Sequence, residues 1–591
     1  MSPALPAVTA TATVDDLIWH WAAAAPDAVA VIDDTGQWTT YRELTAQANA
    51  VAAELAGLGV TTDQVVGVHY PRSVNGLVQL LGVWRTGGAA LYLDPDWPLQ
   101  RLQHMAVVCD VRVVRSPQPI PGLAPQPVPE AVSGGRLPQV HGPLCYVVFT
   151  SGSIGIPKGV LVEHPGVVNM ATALAEIFTV GPGTRVLQFS AWSWDAAMGE
   201  ILMTLTAGGT LVLAPPATRV GGPALAQLLR AHRVEVVTLT PSVLAAVPAL
   251  DLPDLRTVAA VGEVCHPHLV DRWTAPHRRV FNGYGPTEAT VAATVAACIP
   301  GADVHIGTPL PGVTAQVVDA DGRPLPPGVI GELLIGGIGV ARGYADSPAA
   351  TATRFTTDSD GLRWYHTGDL VARRGDGTLT YVGRADDQVK LRGHRLTLGE
   401  VEHVLAAHPA VLGCAVVALA DHLVAYLIAD NEHLAEPAAA GLVAAVRNHA
   451  RALLPPFAVP DLVRVVAALP LTASGKVDRD VVLRWAAETS ADPAPGSDDT
   501  TAQASLPRVL EVVAAVLDRP MRPDTDIIDT GGHSLLVAQL CVALSEALGV
   551  EVPYVTVALN RTPAGIAAAI DQLTGTPNRI DTPGGAPSAA V

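Results

Sequence analysis

A short apolar run, Leu144 to Val148, leads directly into Phe149-Thr150-Ser151-Gly152-Ser153-Ile154-Gly155-Ile156-Pro157-Lys158-Gly159, and this stretch restricts the chain most tightly. The run reads as a buried strand. Three glycines, three hydroxyl residues and one lysine follow within eleven positions. Glycines let backbone amides turn toward an anion, hydroxyls add donors, and the lysine supplies positive charge, so the segment is suited to hold phosphate. It is not the GxxxxGK[ST] loop, because its lysine follows Gly-Ile-Pro and precedes no Ser or Thr. A Ser/Gly-rich surface turn has the same composition, and the choice rests on what lies downstream.

The 591 residues suggest three or four folding units. With 49% hydrophobic and 16% charged residues, large cores are available and global disorder is not expected. A net charge of −18 argues against a nucleic-acid surface, and no Lys/Arg run exceeds a pair. Six cysteines are scattered without a CxxC pair, which suits buried free thiols in a reducing compartment. Met1 to Asp16 carries no basic patch followed by an apolar core, and no apolar run reaches membrane-spanning length. The expectation is a soluble, cytoplasmic protein with no membrane partner.

In chain order, Val14–Ala25 reads as an amphipathic helix and Ala28–Ile32 as a strand. Thr40 with Glu43 has the form of a capping box opening a helix whose apolar positions are Leu44, Ala48, Val51, Ala52 and Leu55. Val65–Val68, Ala89–Leu93 and the helix Val74–Arg85 continue an alternation that runs to about Ala260 and signals wound α/β layers. Pro117–Pro138 reads as a surface excursion. From Gly312 to Gly339, short strands such as Val313–Val318 and Glu332–Ile335 indicate a β unit, joined by Leu379–Gly383. Leu398–Ala407 reads as helix and Ala415–Ile428 as strand, a small α+β unit. Glu488–Ala504 is a Pro/Ser/Thr linker. Leu506–Leu517, Ser534–Leu548 and Pro563–Leu573 are three helices of one bundle, and Thr574–Val591 is a tail expected to be disordered.

Several segments carry chemistry. Asn282-Gly283-Tyr284-Gly285-Pro286-Thr287-Glu288 sets one carboxylate among small residues, which suits magnesium beside a polyphosphate, though a tight turn fits it as well. Tyr365-His366-Thr367-Gly368-Asp369 places an aspartate at an expected strand end. Gly383-Arg384-Ala385-Asp386 is a charged joint, and Leu471-Thr472-Ala473-Ser474-Gly475-Lys476 carries an isolated lysine. In this order, together with Tyr41-Arg42-Glu43-Leu44, Gly87 to Pro95, Gly331 to Tyr344, Arg395 to Glu402 and Leu454 to Pro460, these segments resemble the adenylation domains of nonribosomal peptide synthetases, in the adenylate-forming superfamily. The likeness covers about Tyr41 to Arg479.

The resemblance implies ATP-dependent activation of an amino acid as aminoacyl-AMP, then transfer to a thiol. Thr150, Ser151, Gly152, Ser153 and Lys158 would hold the β/γ-phosphates. Glu288 and Thr287 would hold Mg²⁺ and the α-phosphate region, Asp369 and Arg384 the ribose, and Tyr284 would pack on adenine. Lys476 would be catalytic, bridging the substrate carboxylate and the α-phosphate, with Asp386 the hinge of a mobile C-terminal subdomain. An ordinary surface ion-pair role also fits Asp386. Ile154 stands where the family usually has Thr, one hydroxyl donor fewer.

By the same matching, Asp195 would meet the substrate ammonium, although a helix N-cap accounts for it equally from local sequence. Ala196, Gly199, Thr238, Ala259, Val261, Gly283, Val291 and Ala292 would line the pocket. All are small or medium and uncharged, which points to a large apolar, preferably aromatic side chain, tyrosine or tryptophan.

Asp529-Thr530-Gly531-Gly532-His533-Ser534-Leu535-Leu536 has the form of a helix start and also resembles the 4′-phosphopantetheine site of peptidyl carrier proteins, with Ser534 as attachment point. The expected organisation is an α/β adenylate-forming core (1–385) of wound layers plus a β unit, a small α+β subdomain (386–487), a linker (488–504), an all-α helical-bundle carrier (505–575) and a tail (576–591). No condensation or thioesterase motif flanks these parts, so a free-standing didomain that loads itself is expected. Its partners would be a phosphopantetheinyl transferase, an MbtH-like protein, and tailoring or condensation enzymes downstream. The alternatives are an aryl- or acyl-acid ligase of the same superfamily and a catalytically silent carrier scaffold.

Overall fold

The computed structural model describes residues 11–120, 122–123, 141–150, 157–215, 222–247, 252–385, 388–391, 394–419, 422–429, 438–466, 468–470, 477, 479–489, 505–517, 519, 521–523, 525, 527, 534–548, 552, 556–557, 560 and 562–575. The chain divides into two compact units, Met1–Arg484 and Trp485–Val591. The division falls inside the helix Arg479–Thr489, just ahead of the expected linker.

In the first unit, helix Val14–Ala24 packs on helix Tyr41–Gly57. The latter starts where the capping box places it: Glu43 N donates to Thr40 Oγ1 at 3.2 Å, and Thr40 N donates to the Glu43 carboxylate at 2.9 Å. Such a cap contributes about 1 kcal/mol, enough to fix where a helix starts but not the fold. The fold comes from burial. Val65–Val68, Ala89–Tyr92 and the first six residues of Leu144–Thr150 are buried almost without a break, as parallel strands covered on both faces must be.

Two sheets dominate this unit. In the first, parallel strands Val29–Ile32, Thr210–Leu213, Arg185–Gln188, Val236–Leu239, Thr257–Val261 and Arg279–Tyr284 lie side by side in that order. Antiparallel Trp38–Thr40 closes one edge; Thr294–Ala297 and then Thr308–Pro309 close the other. In the second, Val113–Arg115, Val65–Val68, Ala89–Tyr92 and Leu144–Thr150 run parallel, followed by antiparallel Lys158–Glu163 and Gly343–Tyr344. Helices His164–Phe178 and Asp195–Thr206 pack together in the core shared with these sheets.

The expected β unit is an antiparallel sheet of Val313–Val318, Ile330–Gly337, Arg363–Arg373 and Phe355–Thr357, with Leu379–Arg384 added on Arg363–Arg373. Here Asp369 departs from expectation: it lies inside the strand Arg363–Arg373, not at its end. The register against Ile330–Gly337 slips between Glu332 and Leu334, and Gly368 takes φ 71°. A bulge with a left-handed glycine re-aims the next side chain without ending the strand.

The small α+β part pairs Gln388–Leu391 with His394–Thr397, then runs through helix Leu398–Ala406 to the strands Val411–Leu419, His422–Ala429 and Leu462–Val466, with helix Ala438–Leu453. The stretch Ala415–Ile428, expected as one strand, belongs to two antiparallel strands. In the second unit, helices Leu506–Leu517, Ser534–Leu548 and Pro563–Gly575 enclose Val509, Val513, Leu540, Leu544 and Ile566. Among the described residues no helix is long and apolar enough to cross a membrane. Cys109, Cys145, Cys265 and Cys541 are buried and Cys298 and Cys414 half-buried, all as free thiols.

Candidate active site

The strand Leu144–Thr150 delivers Thr150 to the edge of a cavity of about 150 Å³. Thr150 and Lys158 are register partners in antiparallel strands, so the two ends of the Gly/Ser segment stand side by side. Ser151, Gly152, Ser153 and Ile154 lie outside the described residues. The Lys158 ammonium sits 5.1 Å from the centre of the Tyr344 ring. The Tyr344 hydroxyl in turn donates to Glu288 Oε1 at 2.8 Å.

Thr287–Ala289 form a single 3₁₀ turn, with the Glu288 side chain buried. Directly after it, Thr290 and Val291 take φ 58° and 65°. Left-handed backbone is costly for β-branched residues, and such strain collects at functional sites. Gly285 makes this turn possible: a Cβ there would lie 2.4 Å from the Val291 carbonyl oxygen.

Asp369 has both carboxylate oxygens engaged. The Tyr284 hydroxyl donates to Oδ2 at 2.5 Å, and Arg384 Nη1 donates to Oδ1 at 2.6 Å. Asp369 N donates to Thr367 Oγ1 and Arg384 Nη2 to the Thr367 carbonyl, which locks the group. Each oxygen of an ionised carboxylate has room for a second donor, so the group can still accept from a diol.

Asp195 is the first residue of the helix Asp195–Thr206, and Trp194 is its N-cap. The reading of Asp195 as N-cap is therefore corrected by one position. A carboxylate in the first helical turn is favoured by the helix dipole. Burial nonetheless pushes the Asp195 carboxyl up to about 6; a hydrogen bond from Thr287 works against the rise and the charge on Glu288 adds to it.

Ala196, Gly199, Thr238 and Val261 line the cavity with Asp195, as do Gly283, Val291 and Ala292. Ala259 does not: it is fully buried in the core, one residue along the strand from Ala260 and in register with Phe281. Leu174, Phe178, Met203 and Val295, absent from the sequence reading, take part of the wall. The space is therefore smaller than a ring of small residues suggests.

Three further features were missed. Glu200 is buried, and its carboxylate accepts from Gln188 Nε2, Phe189 N, Ser190 N and Ser190 Oγ at 2.9–3.3 Å. Burial pushes it up to about 7 despite these donors, and its position five residues beyond Asp195 in an apolar helix was the available signal. Arg101 pairs with Glu400 at 2.9 Å. His394 stacks on Phe457, with ring centres 4.0 Å apart, and meets the edge of Trp194 at 3.7 Å. Asp386 and Lys476 lie outside the described residues; Ser534 opens the helix Ser534–Leu548 in the second unit.

Mg²⁺ commonly takes one or two carboxylates and completes its shell with phosphate oxygens and water. A buried glutamate next to a threonine hydroxyl fits that mode, whereas among the described residues no group of three or more His, Cys, Asp or Glu forms an all-protein metal site.

An α/β core whose cavity gathers Thr150, Asp195, Thr287 and Asp369, a small α+β part and a separate helical unit have the modular organisation of adenylate-forming proteins. Residues 18–345 match the AMP-binding enzyme family, 400–476 its C-terminal domain and 507–570 the phosphopantetheine attachment site. The chain belongs to the AMP-binding enzyme family, as an adenylation–carrier didomain of the nonribosomal peptide synthetase type. It is 38% identical to phosphinothricin tripeptide synthetase PhsC of Streptomyces viridochromogenes over 93% of this chain and 51% of that one. It is 35% identical to novobiocin biosynthesis protein H of Streptomyces niveus over 92% of this chain and 94% of that one. The solved structure of holo-PA1221, an NRPS protein containing adenylation and PCP domains bound to a vinylsulfonamide inhibitor, matches with TM-score 0.77 and 27% identity over 94% of this chain and 96% of that one. The chain spans between 7% and 51% of the length of the synthetases it matches at 38% in Brevibacillus parabrevis and Streptomyces viridochromogenes.

Proposed function

We propose that the protein activates an amino acid with ATP and transfers it to its own carrier. The amino acid carboxylate attacks the α-phosphorus; a C–O–P linkage forms, the Pα–O–Pβ bond breaks, and pyrophosphate leaves. A thiol then gives up its proton, and its sulfur attacks the acyl carbon and displaces AMP. The barrier in the first step is the approach of two anions, so charge neutralisation and positioning carry most of the catalysis.

One relationship supports this reading above others. Thr287 hydrogen-bonds Asp195, and its neighbour Glu288 is tied through Tyr344 to the Lys158 side of the Gly/Ser segment. An ammonium anchor and a polyphosphate anchor thus meet at one turn. In this reading Thr150, Ser151, Gly152, Ser153 and Lys158 hold the β/γ-phosphates, and Glu288 with Thr287 holds Mg²⁺, which would neutralise phosphate charge when bound. Asp369 accepts from the ribose hydroxyls and Arg384 beside it binds the same sugar, with Tyr284 against adenine. Lys476 bridges carboxylate and α-phosphate as the catalytic residue, and Asp386 is the hinge of the subdomain 386–487. Ser534 carries phosphopantetheine, whose arm supplies the thiol. Phosphopantetheinyl transfer to Ser534 is the modification this carrier requires. An MbtH-like protein and a downstream tailoring or condensation enzyme are the remaining proposed partners.

The carboxyl of Asp195 favours an amino acid over an aryl or fatty acid, because a buried carboxylate needs a cation. The apolar wall favours an apolar side chain, and the small residues Ala196, Gly199, Gly283 and Ala292 within it favour one of tyrosine or tryptophan type. Amino-acid-dependent ATP–pyrophosphate exchange across the standard amino acids, with aryl and fatty acids as controls, tests the reading. Exchange with tyrosine or tryptophan is expected; exchange with aryl or fatty acids alone overturns it.

A further inference from the structure

The helix Asp195–Thr206 presents Asp195, Gly199 and Met203 at intervals of four residues, the spacing that places side chains on one face. All three line the cavity. Between the outer two there is almost no side chain: a methyl built at Gly199 would meet a single neighbour, Val291 Cγ1, at 3.0 Å. The cavity therefore runs down this face from the carboxylate until something stops it.

The next cavity-lining residue on this face is Met203. At about 1.5 Å per residue, four residues separate Asp195 from Gly199 by about 6 Å along the axis, and Met203 lies the same distance further. A helical side chain leans toward the N-terminus, so Met203 covers the turn that begins at Gly199. Met203 is 1% exposed, and Phe178, 3% exposed, faces the same cavity from the end of helix His164–Phe178. The Phe178 ring is braced by Phe281, with ring centres 5.2 Å apart. A long, unbranched thioether and a braced ring thus belong to the same cavity wall, and of the two the methionine is the one free to change its length.

We propose that Met203, backed by Phe178, is a specificity-determining residue that fixes the depth of the amino-acid pocket and hence the length of apolar side chain the protein activates. This rests on the amino-acid-activating reading above.

The test is the ratio of kcat/KM for tryptophan over leucine in ATP–pyrophosphate exchange, both measured on one preparation so that any unfolded fraction cancels. Met203→Ala is expected to raise that ratio by about tenfold, the order expected when a pocket gains room for a methylene or more. Met203→Leu, which nearly conserves volume and keeps the core filled, should shift it in the same direction by a smaller factor. Ratios within twofold of the unsubstituted protein in both variants, or a shift toward leucine, overturn the proposal. Silence of the unsubstituted protein toward every amino acid is a distinct result: it removes the functional reading itself, and the depth assignment with it.

Discussion

Arg101 and Glu400 form an ion pair of 2.9 Å between the α/β core and the small α+β part, with side chains only 8% and 2% exposed. The Arg101 guanidinium also lies 4.9 Å from the centre of the Trp97 ring. Two charges removed from water are tolerable together and costly apart. Replacing one partner, by Arg101→Met or Glu400→Gln, should lower unfolding stability by about 3–5 kcal/mol. The double change Arg101→Met/Glu400→Leu should recover most of it, since apolar groups of similar volume need no partner. Urea unfolding of the three variants checks this; a double variant as unstable as either single one would remove the charge pairing as the cause.

The raised Asp195 carboxyl predicts a pH dependence. Burial pushes it up to about 6, so lowering the pH from 7 to 5 should protonate it and weaken the hold on the substrate ammonium proposed for it. The KM for the amino acid should rise over that range while the KM for ATP stays flat. Asp195→Asn should abolish the pH dependence and most amino-acid-dependent exchange. Stability runs the other way. Because the folded pKa lies above the ordinary 3.8, the native state holds the extra proton, and stability falls as pH climbs from 3.8 through about 6. The asparagine variant should therefore be the more stable protein at pH 8, with the difference vanishing below pH 4. A thermal-shift series would expose a reversed order.

Asp369 holds Tyr284 and Arg384 at once. Asp369→Asn exchanges a charged acceptor for a neutral one and should raise the KM for ATP by about tenfold or more. The KM for the amino acid should change little. Equal effects on both substrates in steady-state exchange would mean that the trio supports the fold and not the nucleotide.

The two half-reactions should separate by mutation. Lys476→Ala is expected to depress exchange by about a hundredfold or more, the scale of losing a charge stabiliser at the reacting centre. Phosphopantetheinylation of Ser534 should survive in that variant. Ser534→Ala should do the reverse, leaving exchange intact and abolishing covalent loading. Intact-protein mass spectrometry with a labelled amino acid reads both, and label on the Ser534→Ala protein would refute the carrier assignment.

What the sequence reveals and what it conceals follow from distance along the chain. The Thr40–Glu43 cap, the strand Val65–Val68 and the helix Val74–Arg85 are local, and their residues announce them. The bulge at Asp369 depends on a register slip against Glu332–Leu334, some thirty-five residues away, and Gly368 is its one local trace, equally readable as the end of the strand. The break that makes two strands of Ala415–Ile428 carries no Gly or Pro signal. Arg101 and Glu400 stand 299 positions apart, beyond any periodicity. Met203 was within reach: it lies one helical turn beyond Gly199, and the four-residue interval would have found it. The motif-matched list ended at Gly199 on this helix, so its pocket appeared roomier than the one the helix face encloses.

The chain's own sulfurs have a chemical consequence. An acyl adenylate is captured by thiolates, not thiols. Burial pushes Cys265 up to about 11, Cys109, Cys298, Cys414 and Cys541 up to about 12, and Cys145 well beyond the usual thiol range. At neutral pH none of the six offers an appreciable thiolate, so self-acylation at a stray cysteine is chemically suppressed. A pantetheine sulfur would meet no competing cysteine thiolate for the acyl group, and a mild alkylating dye applied to the folded protein should label that sulfur ahead of the six cysteines.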